Sequence, residues 1–124
     1  MTDLEATALC ARAMGMRPFK EYPLGNYPEQ DGTYEIRGDV VYHLHGNARG
    51  GYNRYDYDPF TDDAQMAELV KKFRLELTCG LNDIWICSNR GTTDYEHGDS
   101  RDLNRAVVMC AARMQAAKEA KEAK

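Results

Sequence analysis

Between residues 57 and 89 the apolar pattern changes period twice. Met66, Leu69, Val70 and Phe73 recur at three- and four-residue spacing. Leu75, Leu77 and Cys79 then alternate with Glu76 and Thr78, and Ile84-Trp85-Ile86-Cys87 is apolar at every position. A period near 3.6 predicts a helix, a period of two a half-buried strand, and a short unbroken run a strand interior to a sheet. Thr61 is the expected N-cap of this helix, with Asp62 and Asp63 at the positive end of its dipole. Lys71, Lys72 and Arg74 complement its other end, and Gly80 to Asp83 supplies the turn between the two strands.

The flanks read differently. Thr2-Asp3-Leu4-Glu5 has the form of a capping box, and the Ala-rich helix behind it offers Leu4, Ala8, Leu9 and Ala11 to a core. Gly15 is placed to end that helix in a left-handed turn, and Pro18 stops any continuation. From Arg17 to Gly32, Pro18, Pro23 and Pro28 alternate with Phe19, Tyr22 and Tyr27, predicting an ordered surface loop pinned by aromatic packing. Thr33 to His45 is rich in β-formers, and Gly38-Asp39 can turn a hairpin between Tyr34–Arg37 and Val40–His45. In its second half Val40, Tyr42 and Leu44 share one face, and Val41, His43 and His45 the other. Gly46 to Asp58 and Asn89 to Ser100 read as two polar loops, the first of them mobile. Asp99 or Ser100 is the expected cap of a last helix whose buried stripe is Leu103, Ala106, Val107, Cys110, Ala111 and Met114. Beyond it, AAKEAKEAK is helix-prone without an apolar face and is expected to be solvated.

One domain of class α+β follows: a helix over 1–16, a loop and hairpin insert over 17–58, a helix-strand-strand-helix unit over 59–117, and a tail over 118–124. At 124 residues, with 43% apolar and 29% charged residues, the chain can bury a single core. A net charge of −4 argues against gripping a nucleic-acid backbone. No apolar run is long enough to span a membrane, and no basic-then-apolar leader opens the chain, so a cytoplasmic location is expected. Cys10, Cys79, Cys87 and Cys110 form no C-x-x-C pair and sit among apolar neighbours, as small buried hydrophobes in a reducing compartment do. A bond between Cys79 and Cys87 across neighbouring strands is geometrically conceivable.

The segments ALCARAMGM, YDPFTDDAQMAELVKKF, IWICSN and DLNRAVVMCAARMQA resemble, in order and spacing, the phage ABA sandwich domain family. The resemblance covers roughly residues 4–20 and 56–117, and the 21–55 insert has no counterpart in it. It implies an α-β-α sandwich, a small mainly antiparallel sheet flanked by three helices, and a phage or prophage source. It carries no catalytic residues and no cofactor.

Chemistry must then come from the loops. Arg49 and Arg54 interleave with Tyr52, Tyr55 and Tyr57, and guanidinium forks pair with phosphates while tyrosine faces stack on bases. Arg90, Thr92, Thr93, Tyr95 and His97 stand before the last helix, where free N–H groups favour anions. Together they are the candidate binding residues for a small phosphorylated or nucleotide-type ligand, weighed against ordinary solvated loops whose tyrosines pack locally. The leading function is a non-enzymatic phage accessory protein that inhibits a host protein or sequesters a nucleotide immune signal. The alternative is a small metal-dependent or hydrolytic enzyme using His43 and His45, which share a strand face as two metal ligands would. Histidines at that spacing are more often hydrogen-bonded strand residues, and no G-x-S-x-G nucleophile motif is present. Apolar strands with sheet edges to cover also point to a homo-oligomer.

Overall fold

The structure, a computed structural model, describes residues 1–19, 32–46, 49, 51–89 and 97–123, with 97–99 described by backbone alone. The elements run α1 (Asp3–Ala13), β1 (Arg17–Pro18), β2 (Thr33–Arg37), β3 (Val40–Gly46), β4 (Tyr52–Asp56), α2 (Asp63–Phe73), β5 (Glu76–Cys79), β6 (Trp85–Ser88), β7 (His97–Ser100) and α3 (Leu103–Glu122). The class is α+β, as expected: three helices with mainly antiparallel strands. The strands form two sheets, ordered β1-β2-β3-β4 and β5-β6-β7, and only the β1–β2 pairing is parallel.

Helix α1 opens as its sequence predicts, with the Thr2 hydroxyl accepting from the Glu5 N–H at 3.1 Å. Gly15 follows it at φ +89°, the left-handed turn that a residue without Cβ makes at little cost. The hairpin also forms as read, with β2 and β3 joined through Gly38 and Asp39 and Ile36 paired with Val41.

The insert holds more structure than its composition suggests. Five residues of the segment expected to be a mobile loop form β4, which pairs antiparallel with β3. Tyr52, Arg54 and Asp56 take one face and Asn53 and Tyr55 the other, the two-residue alternation of a strand made from polar rather than apolar residues. Phe19 packs against Tyr52, with ring centroids 5.7 Å apart. The remaining proline and aromatic positions of the expected surface loop lie outside the described residues.

Two caps move from their expected positions. Asp62, not Thr61, caps α2 by accepting from the Gln65 N–H at 3.0 Å. Thr61 is engaged elsewhere: its hydroxyl donates to Asp58 at 2.8 Å, inside a turn whose Thr61 and Asp62 N–H groups return to the Asp58 carbonyl. Helix α3 is capped by Asp102, because 97–100 is drawn into β7 and the helix must begin later. The Ser100 hydroxyl instead accepts from the Asp102 N–H at 3.0 Å.

Helix α3 is the centre of the packing, touching α1, α2, β6 and β7, while α1 also meets β3. Ala106, Val107, Cys110 and Ala111 are buried as expected, and Val108 and Ala112 are buried too, because α3 is covered on more than one side. The small residues of α1 (Ala6, Cys10, Ala11) let the two helices approach closely, and Leu69 of α2 completes the core. Cys10, Cys87 and Cys110 are buried as expected, whereas Cys79, on the outer strand β5, is exposed. Cys87 pairs across the ladder with Leu77, and Cys79 with Trp85, so the two do not oppose each other, and no disulfide joins any of the four.

The end of α3 is helical and largely solvated, as expected, with Lys118 and residues 120–123 exposed, but it is anchored at Glu119. The helix continues to Glu122, and Glu119 receives two bonds from the Arg12 guanidinium, at 2.7 and 2.9 Å. Arg12 also donates to the Tyr34 hydroxyl at 2.9 Å, and Gln115 donates to Glu119 at 2.9 Å. Polar contacts, which an apolar periodicity cannot signal, dock these last turns.

Candidate functional site

The β3–β4 register sorts the candidate residues by face. Leu44 stands opposite Arg54 and His43 opposite Tyr55, so Arg54 and Tyr55 point to opposite sides of the first sheet. Tyr57, one position past β4, is buried in the core on the face that also carries Tyr34 and Val41. Its hydroxyl has no hydrogen-bond partner among the described residues, and burial beside Cys10 pushes its pKa above the ordinary tyrosine value. Tyr57 is therefore packed in the core, on the opposite face from Tyr52 and Arg54.

On the Arg54 face a compact polar cluster forms. One oxygen of Glu35 accepts from Arg37 Nε at 2.6 Å and from Arg54 Nε at 2.9 Å. The Glu35 side chain is only 11% exposed, whereas that of Arg37 is largely exposed. Arg54 also donates to the Tyr52 hydroxyl at 3.2 Å, and its guanidinium carbon lies 5.1 Å from the centroid of that ring. The hydrogen bond to Glu35 holds the Arg54 guanidinium above its ordinary range, so it stays charged at any working pH. Beside the cluster, Pro18, Phe19, Tyr34, Glu35, Ile36 and Arg37 line an open groove of about 500 Å³. Phe19, Glu35 and Arg37 were missed in the sequence. The signal available for two of them was the alternation Tyr34-Glu35-Ile36-Arg37, which puts Glu35 and Arg37 on one strand face.

The opposite face holds the histidines. His43 and His45 have ring centroids 4.1 Å apart, and Tyr55 meets His45 edge-on at 5.3 Å. The expectation that both imidazoles share a face is met. Among the described residues no third His, Cys, Asp or Glu joins them in a group fit to hold a metal ion.

The other candidates disperse. Arg49 is an exposed turn residue, and His97 belongs to β7 in the second sheet, paired with Ser88 of β6. Arg90, Thr92, Thr93 and Tyr95 lie outside the described residues. Of the ten binding candidates, the structure thus unites Tyr52 and Arg54 in one cluster.

A second concavity, of about 450 Å³, lies where the N-terminal ends of α1 and α3 meet the hairpin turn and the exit of β4. Five carboxylates line it (Asp3, Asp39, Asp56, Asp58 and Asp102) against one guanidinium, that of Arg105. Asp3 pairs with Arg105 at 3.1 Å, Asp58 closes its own turn, and Asp102 caps α3. No helix among the described residues is long and apolar enough to cross a membrane. Comparison with protein-family models, with curated proteins and with solved structures finds no match to this chain.

Proposed function

We propose that this chain is a non-enzymatic binding protein, and that the Arg54 face of its first sheet takes a small phosphorylated, nucleotide-type ligand. The observation that carries this reading is the sharing of one Glu35 oxygen by two guanidiniums. Two positive groups on one carboxylate leave a local charge of +2 − 1 = +1 in a chain whose net charge is −4. Glu35 orients both forks in advance, which lowers the ordering cost of binding an anion. Tyr52 and Phe19 stand beside them with rings on which a base can stack. The resemblance to a phage family supports an accessory role, in which sequestering the ligand denies a host its signal. Thermal-shift titration with mono-, di- and cyclic nucleotides tests this. Ligand at a hundred times its Kd adds about 2.7 kcal/mol of stability and several degrees of Tm. Flat titrations across the panel remove the reading.

A second reading has its own observation. The carboxylate-lined concavity fits a basic segment of a host protein better than any phosphate. It predicts retention of a lysine- or arginine-rich partner from host lysate that is released by raising salt, and an empty eluate counts against it.

A further inference from the structure

Strand β5 is the outer strand of the second sheet, and no described strand pairs with its free edge. All four of its residues are exposed. The hairpin that follows fixes which of its backbone groups face outward. Gly80 N–H donates to the Ile84 carbonyl at 2.7 Å, so Gly80 and Ile84 are a bonded pair. Bonded and wide pairs alternate along an antiparallel ladder. With Thr78 opposite Ile86 and Leu77 opposite Cys87, Thr78 and Glu76 therefore bond inward to β6. Leu77 and Cys79 turn their N–H and C=O groups away from the sheet.

We infer that this edge pairs with the same edge of a second copy of this chain, antiparallel and two-fold about Thr78. In that register Leu77 bonds Cys79 of the second copy and Cys79 bonds its Leu77, four backbone hydrogen bonds in all. Thr78 faces Thr78 across the axis, a favourable cross-strand pair, and Glu76 meets Gly80 rather than another charge. The edge is self-complementary, which an isologous contact requires. Leu81, 89% exposed and the most exposed large apolar side chain among the described residues, comes opposite the start of β5 of the second copy. Leu77 and Ile86 add exposed apolar surface to the same hairpin.

Among the described residues the first sheet offers no equivalent edge. Pro18 in β1 lacks the donor a ladder needs, and β4 carries Arg54 and Asp56. Residues 76–79 contain neither a proline nor a lysine to block pairing. A four-residue ladder makes a small interface, so the dimer forms reversibly and in proportion to concentration.

Thr78→Cys in a Cys79→Ser background tests the register. Cα atoms of a wide antiparallel pair lie about 4.5 Å apart, within the roughly 4.4–6.8 Å that a disulfide spans. Oxidised glutathione accepts the two electrons and two protons of the paired thiols, becoming two molecules of reduced glutathione. The expected product is a covalent dimer of twice 14.1 kDa on non-reducing gels. Lys72→Cys in the same background, at an exposed position of α2, serves as the control for random collision. Sedimentation of the unmutated protein is expected to show a monomer–dimer equilibrium that Leu77→Lys shifts at least tenfold towards monomer, with circular dichroism unchanged. Crosslinking of Thr78→Cys no faster than the control, or a monomer at every concentration, overturns the inference.

Discussion

The contact between Arg12 and Glu119 can be tested quantitatively. It joins α1 to the last turns of α3 through two guanidinium–carboxylate bonds, and the same guanidinium reaches Tyr34 on β2. An exposed ion pair contributes about 0–1 kcal/mol, and breaking a fully buried one costs about 3–5 kcal/mol. Here both side chains are about a third exposed, at 32% and 33%. Solvent screening places the coupling between those limits, at about 1–2 kcal/mol. A double-mutant cycle of Arg12→Ala and Glu119→Ala, followed in urea by the fluorescence of the single Trp85, reads it directly. For a domain of this size each single variant is expected to lose roughly 3–6 °C of Tm. Ending the chain at Ala117 should cost about as much as Glu119→Ala. The pH dependence has a definite sign. Arg12 lowers the folded-state pKa of Glu119, so this stabilisation is fully present above the ordinary carboxylate pKa and fades as pH falls through the lowered one. A coupling within about 0.3 kcal/mol of zero, or a truncated chain as stable as the whole one, would refute the docking of the tail.

Further outcomes follow from the same contacts. Asp62→Ala should cost about 1 kcal/mol as the loss of a helix cap, and Thr61→Ala about half as much, measured by urea unfolding; the reverse order would restore Thr61 as the cap. Tyr57→Phe should leave stability unchanged or raise it by about 1 kcal/mol, since it removes a buried hydroxyl with no partner among the described residues. A loss above that size would show that the hydroxyl is bonded. One thiol of four should react rapidly with a disulfide reagent in the folded protein and all four in denaturant. Cys79 is exposed, whereas burial beside Cys110 pushes the Cys10 pKa up to about 12, and hydrogen bonding with Cys110 raises that of Cys87.

The sequence was most legible where apolar period decides structure. Met66, Leu69, Val70 and Phe73 face the core, and the apolar run at 84–87 overlaps β6, the central strand of its sheet. The alternation of Leu75, Leu77 and Cys79 gave a strand but not its expected half-burial: only Leu75 is buried, because β5 lies at the sheet's edge. It was least legible where polar residues decide. Strand β4 is Tyr-Asn-Arg-Tyr-Asp, and nothing in its hydropathy separates it from a loop until β3 is there to pair with. The caps moved by one to three residues for the same reason: Asp58 competes for Thr61, and β7 captures Ser100. The candidate site fared accordingly. Arginine and tyrosine content drew attention to residues 49–57, yet only the strand alternation separates Tyr52 and Arg54 from Tyr55 and sends Tyr57 into the core. Glu35, which organises the cluster, comes from a distant strand and was invisible until the register was known.

The measurement closest to the central claim is calorimetric titration of a nucleotide into the unmutated protein, Arg54→Ala and Glu35→Gln. Arg54 supplies a fork to the anion, and Glu35 holds both forks in place for it. Binding should therefore weaken at least tenfold in Arg54→Ala, and weaken less in Glu35→Gln, which loses the carboxylate that orients the two guanidiniums. Equal affinities in all three proteins, or heat from none of them, would contradict a phosphate site on this face.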